Sequence, residues 1–384
     1  MPRRHHPFLV APLLILPLAG LPASALANGC PAPGQWQHDG EVVDTAELMA
    51  DMSERRVVLL GEQHDRLAHH RWQLHTLAGL HARQPEMAIG LEMLPREAQP
   101  ALDAWVAGKL DEADFLAESD WLGAWGYDPD LYLPILHFAR MQRIPLLAIN
   151  VTPALRQRLT AEGWEAVPAS ERHGITPPAA ASTGYREALN AIYANHPSQG
   201  EYEAGLERFI DAQLVWDRAM AQGLAEATEE ASLVVGLMGQ GHVSYGHGVP
   251  HQLTDLGIDA VASLLAWGGD HDCTPPAGLA DALFTLGDEA AFEPPEPQRL
   301  GILIAAHEDG VRVVGVGEQS LAEDLGLAEG DLIVEAAGRP VRQPGELTGL
   351  VRRQTPGTLL PITVLRNGDT QELLARFPLR GEAR

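Results

Sequence analysis

Two histidines and one glutamate, far apart along the chain, have the side chains and the settings for chemistry. His64 closes the run Val57-Val58-Leu59-Leu60-Gly61-Glu62-Gln63, and Glu92 lies near the end of Met87-Ala88-Ile89-Gly90-Leu91. His242 follows Met238-Gly239-Gln240-Gly241 after another apolar stretch. A neutral imidazole ligates divalent metals or takes up a proton, and a carboxylate beside it adds negative charge. The trio His64, Glu92 and His242 therefore suits a metal-activated water, with zinc, cobalt or manganese as the ion, or a general-base hydrolysis without metal. Singly, each residue reads more readily as a hydrogen-bonded structural group. The repeated order of apolar run, glycine and histidine makes them a candidate set.

Apolar runs without polar alternation suit strands covered on both faces, and open α/β sheets bind ligands just outside the carboxyl ends of their strands. The runs at 57–60, 87–93, 145–150, 232–237, 259–267 and 280–286 predict an α/β fold with a central, mainly parallel sheet flanked by helices. Between 67 and 83 apolar residues recur at helical spacing (Leu67, Trp72, Leu74, Leu77, Leu80), and Gln84-Pro85 stops the helix. Further helices are expected at 45–51, 95–108, 111–118, 134–142, 153–163, 185–195 and 202–225. The last carries Gln213, Trp216, Asp217 and Met220 on one broad face, whose usual meaning is packing. Residues 121–132 read as an aromatic-rich loop, and 168–183 as a connection rich in Pro, Ala and Ser.

The segment 288–298 is acidic and Pro-rich and reads as a linker. Beyond it, short β-branched runs at 302–304, 311–316, 332–334, 359–365 and 371–377 alternate with turns, Asn367-Gly368 being a strong hairpin signal. Two short helices fit at 320–325 and 345–351. The expected plan is a leader over 1–27, an α/β domain over 28–287, the linker, and a small β-rich domain over 299–384.

Acidic residues outnumber basic ones 52 to 27 in 384, a formal charge of -25 that repels phosphate backbones, so nucleic acid is not an expected partner. Arg3 and Arg4 before an apolar run from Phe8 to Leu21, then Ala25-Leu26-Ala27, read as a secretory signal. The product is expected to cross the inner membrane and to be periplasmic. Cys30 and Cys273 are the only thiols. If Cys30 is not acylated, the two can form a disulfide in an oxidising compartment or stay as buried free thiols, with lipid anchoring at Cys30 as the lesser alternative.

Gly61-Glu62-Gln63-His64-Asp65, His69-His70, Leu91-Glu92-Met93, Ala148-Ile149-Asn150, the helical run from Ala212 to Ala221 and Gly239-Gln240-Gly241-His242 resemble the ChaN haem-uptake family of the Tiki/erythromycin-esterase superfamily over about residues 45–287. The resemblance implies a periplasmic or outer-membrane-attached protein that binds haem during iron acquisition, and it admits a homodimer. Haem needs an axial ligand, a flat apolar slot and a cation for its propionates, so Tyr132, Tyr185, His69 and His70 are candidate iron ligands. Trp121 and Trp125 offer stacking surface and Arg140 and Arg186 propionate contacts, although packing for the first pair and a solvated surface role for the second are the default readings. The wider superfamily includes hydrolases and metal-dependent proteases that use the positions of His64, Glu92 and His242. The chain departs from the ChaN pattern in lacking a convincing lipobox.

Residues 299–380 resemble a bacterial PDZ domain, in which Leu300, Gly301, Ile302, Leu303 and Ile304 form the carboxylate-binding loop and strand. The partner so implied is a protein or peptide C-terminus, added as an extra strand. Three functions stay open at this point: a haem-binding protein of iron uptake, a metal-dependent hydrolase or peptidase, and a non-catalytic envelope adaptor.

Overall fold

The computed structural model describes residues 31–195, 202–268, 275–287 and 297–379. The signal segment, Cys30, Cys273 and most of the expected linker lie outside these residues.

The chain enters through a hairpin, β1 (Trp36–His38) and β2 (Glu41–Val43), which turns on Asp39 and Gly40, both with positive φ. No strand was expected in this polar stretch. Helix α1 (Thr45–Ser53), capped by the Asp44 carboxylate, leads to β3 (Val57–Glu62), every residue of which is buried. Then follow α2 (Leu67–His81), β4 (Met87–Pro95), α3 (Gln99–Val106), α4 (Glu112–Glu118), α5 (Trp121–Ala124), α6 (Leu133–Gln142) and β5 (Leu146–Asn150). Helices α7 (Pro153–Glu162), α8 (Thr183–Ala194) and α9 (Tyr202–Ala227) precede β6 (Leu233–Gly239), which is buried throughout. Helix α10 (Val249–Asp255), β7 (Val261–Gly268) and β8 (Ala282–Leu286) complete this part.

The sheet has the order β2-β1-β8-β7-β3-β6-β4-β5. Strands β8 to β5 along this order are parallel, and the β1–β2 hairpin adds antiparallel to β8. Because β3, β6 and β4 are neighbours, the three segments carrying His64, His242 and Glu92 leave the sheet side by side. One face packs α1, α2, α3 and α6 through Met49, Leu77, Leu102 and Leu136; the other packs α9 and α10 through Met220, Leu224 and Leu253. Each such buried side chain contributes about 1.5–3 kcal/mol of transfer free energy before entropy is counted.

The C-terminal part has β9 (Ile302–His307), β10 (Gly310–Val316), α11 (Leu321–Leu325), β11 (Leu332–Ala336), β12 (Arg339–Pro340), α12 (Pro344–Arg352), β13 (Leu359–Arg366) and β14 (Asp369–Arg376). Its antiparallel sheet runs β14-β13-β11-β10-β9, with β12 on β11. It has a core of its own around Val313, Ile333, Ile362 and Phe377. This part meets α4 and α5. Arg339 reaches Asp111 at 2.6 Å and Asp114 at 3.2 Å, and a methyl group added at Gly345 of α12 would lie 3.1 Å from Leu122 of α5. Among the described residues no helix is long and apolar enough to cross a membrane.

Candidate functional site

Glu62, at the end of β3, is the buried hub of one half of the site. Its Oε1 accepts from Tyr132 Oη at 2.6 Å and from His64 Nδ1 at 2.9 Å, while His70 Nδ1 faces Oε2 at 3.2 Å. Burial would raise this carboxyl, but contacts with His64 and His70, the charge of His70 and the Tyr132 hydroxyl outweigh it and hold it at about 2. The second ring nitrogen of His70 donates to the His64 carbonyl at 3.0 Å. Gln73, one turn along α2, donates to the Leu60 carbonyl at 3.1 Å and ties the helix to the strand.

The other half has the same plan on different elements. Tyr185 Oη of α8 donates to Asp217 Oδ2 of α9 at 2.7 Å, and Asp217 Oδ1 accepts from His242 Nδ1 at 2.6 Å. Burial acts to lower His242, yet Glu92 and Asp217 together raise it to about 9, so the ring is an imidazolium at neutral pH. Each histidine is thus held by a buried carboxylate that a buried tyrosine also serves.

Glu92 stands between the halves. Its Oε2 accepts the Gly239 amide at 2.6 Å, and Oε1 is buried with no hydrogen bond among the described residues, His242 Nε2 facing it at 3.5 Å. Asn150 anchors the Glu92 carbonyl through its amide at 2.5 Å. His64 leans over Gly239: a methyl group there would lie 2.8 Å from its Cε1 and 3.0 Å from its Nε2. The structure therefore brings His64, Glu92 and His242 together. The His64 side chain, 26% exposed, is the accessible one, and the rings of Trp125 and Tyr127 lie against it at 4.6 and 5.1 Å. Burial lowers its basicity, but the Glu62 contact and the charges of Glu92 and Glu62 give a net rise. Its Nε2 makes no hydrogen bond among the described residues.

The residues expected to ligate haem iron are placed otherwise. Tyr132, His69, His70 and Tyr185 are all buried, at 2–4% exposure. Both phenol groups are spent on carboxylates, and burial with those charges raises them well above the ordinary tyrosine range. His69 Nδ1 accepts the Gln63 amide at 3.3 Å. Tyr132, Tyr185 and His70 reach an iron only by breaking these bonds, and His69 is buried. Trp121 is core, its indole donating to the Tyr127 carbonyl, whereas Trp125 is half-buried beside His64. Arg140 stacks over Trp105 and donates to the Leu110 carbonyl, and Arg186 pairs with Glu207. Among the described residues no group of three His, Cys, Asp or Glu side chains is spaced to hold a metal ion, so ligation of one ion by His64, Glu92 and His242 would require them to move.

Glu62 and Asp217 are the groups that sequence reasoning missed. Glu62 stands two residues before His64 at a strand end, where alternate side chains share a face, and that spacing was a usable signal. Asp217 lies among Leu214, Val215, Ala219 and Met220, where a carboxylate without a partner would be costly. Reading that face as packing alone left it out.

In the C-terminal part a groove of about 610 Å³ runs between β9 and α12, with Leu300, Ile302, Leu347 and Val351 in its wall. Strand β9 pairs only with β10, so its outer edge is open among the described residues, and Leu303 there is 70% exposed. Gly301, with φ of 81°, turns the loop into β9, where a side chain would strike Ser320.

Comparison with known proteins agrees with these two parts. Residues 298–375 match the PDZ domain family. The magnetosome formation protease MamE of Magnetospirillum gryphiswaldense is 39% identical over 82 residues, 21% of this chain and 10% of that protein; the chain thus spans about a tenth of the length of this curated relative. The HtrA3 PDZ domain bound to a phage-derived ligand is 25% identical, with 21% of this chain and 83% of that one covered, at a TM-score of 0.19. The structure titled cofacial heme binding to ChaN of Campylobacter jejuni shares the fold: it is 18% identical, with a TM-score of 0.53 over 65% of this chain and 95% of that one. Residues 48–253, more than half of the chain, match the model described as haem-binding uptake, Tiki superfamily, ChaN, and the chain belongs to that family.

Proposed function

We propose that this protein binds haem in the service of iron uptake in the cell envelope, after secretion across the inner membrane, and that its PDZ domain holds the carboxyl end of a protein or peptide. The observation that carries the haem reading is the setting of His64. A carboxylate behind Nδ1 strengthens Nε2 as a donor, and Trp125 and Tyr127 offer aromatic surface beside it. Haem, when bound, supplies an iron that needs an axial donor. His64 suits that need better than the four buried groups. Titration of the purified chain with haemin tests the reading. A saturable Soret shift that weakens in His64→Ala supports it; no saturable shift in the intact chain overturns it.

A second reading is favoured by Glu92 Oε1, a buried acceptor with no hydrogen bond between two carboxylate-held imidazoles. A water there has a base in His64 and a fixed positive charge in His242, which suits hydrolysis of an ester or amide. Turnover of such substrates, with and without chelator, tests it on the same sample. Turnover that disappears in both His64→Ala and Glu92→Gln supports this reading, and turnover that persists in both overturns it.

A further inference from the structure

In a chain of formal charge -25, the groove between β9 and α12 is lined by two arginines, Arg299 and Arg352, and by no carboxylate among the described residues. Both arginines are exposed. Arg299 directly precedes the Leu300-Gly301 loop, and Arg352 is the last residue of α12. The remaining wall is apolar, with Leu300, Ile302, Leu347 and Val351.

A peptide that ends in this groove brings one obligatory anion, its terminal carboxylate, against two cations. One positive charge is left unmatched, and the acidic surface elsewhere on the protein makes this groove the favoured landing place for negative charge. The apolar wall asks for an aliphatic last side chain, and the open edge of β9 pairs with the peptide backbone. We propose that the PDZ groove selects acidic C-terminal peptides: those with an aliphatic last residue and at least one Asp or Glu among the few residues before it. The inference rests on the peptide-binding part of the proposed function and adds the class of sequence bound.

Fluorescence anisotropy with the full chain tests it. The probes are four labelled heptapeptides: a Gly/Ser peptide ending in valine, the same with two glutamates, the same with two lysines, and the neutral peptide as its C-terminal amide. The glutamate peptide is expected to bind about tenfold more tightly than the lysine peptide at low salt, with the gap shrinking in 0.5 M NaCl. In R352E, and further in R299E/R352E, every free-acid peptide should weaken through its terminal carboxylate, the glutamate peptide most and the lysine peptide least, so that the order of the glutamate and lysine peptides reverses with the neutral peptide between them. Equal binding of the glutamate and lysine peptides, with the neutral free-acid peptide still bound in preference to its amide, overturns the acidic preference and leaves the PDZ reading standing. An acidic preference that survives in R299E/R352E also overturns it. Binding of none of the four overturns both.

Discussion

Asp217, well inside α9, and His242, in the turn that follows β6, meet at 2.6 Å, repeating with other elements what Glu62 and His64 do at 2.9 Å. The first pair is sealed, and the second opens towards solvent at the imidazole. This difference sets what each can do. His242 is fixed as a cation, while His64 has a nitrogen to offer.

Replacing Asp217 with Asn should lower the His242 titration midpoint from about 9 towards 6.5, because one of the two carboxylates that hold the proton is gone. Imidazole chemical shifts followed across pH check this. A midpoint that stays near 9 would mean that Glu92 alone holds the charge.

Stability should depend on pH in two directions. Glu62 is held at about 2 against an ordinary 4.5, so its contribution is complete above 4.5 and is lost as pH falls through 2. His242 is raised from 6.5 to about 9, so its contribution is complete below 6.5 and is lost as pH rises through 9. Each is worth roughly 3 kcal/mol at most. Urea unfolding at a series of pH values should find a plateau between 4.5 and 6.5. The alkaline decline should flatten in His242→Gln, and an unchanged decline would assign it to other groups.

Gly239→Ala should uncouple the site from the fold. The backbone φ of -59° at this position suits alanine, but the new methyl group would stand 2.8 Å from the His64 ring, and the ring must swing away. Haemin affinity, or turnover if the second reading holds, should fall about tenfold, with the unfolding midpoint shifted by only a few degrees. Wild-type affinity and turnover together would show that the position of His64 is unimportant.

The contact between the two parts should resist loss of its ion pairs better than loss of its packing. Arg339 and its acidic partners are substantially exposed, so Arg339→Ala should cost about 1 kcal/mol or less. Gly345→Leu drives a side chain into Leu122 and should part the surfaces, seen as faster amide exchange in α5. Unchanged exchange there would mean that Leu122 yields without cost.

The strands that bear the site were legible because Val57 to Leu60, Met87 to Leu91 and Leu233 to Leu237 are apolar without alternation, the pattern of strands buried on both faces. The hairpin Trp36 to Val43 was not: its strands are three residues long and partly polar, and Asp39-Gly40 was its only strong signal. Proximity of His64, Glu92 and His242 could be expected from strand ends, but the order β3-β6-β4 depends on crossovers that no local pattern encodes. Tyr132 and Tyr185 were noticed as polar aromatics near the site, but their carboxylate partners Glu62 and Asp217 were not. Their hydroxyls point inward to carboxylates on elements distant in sequence, and only burial distinguishes that from a ligand at a surface.

Helix α12 is a wall shared by two rooms. Leu347 and Val351 form one side of the peptide groove, while Gly345 and Gly349 leave a shallow seat against Leu122. Leu122 belongs to a single helical turn that runs directly into Trp125, and Trp125 leans on His64. One unbroken line of contacts thus joins the groove wall to the accessible imidazole, from α12 through Leu122 and Trp125 to His64.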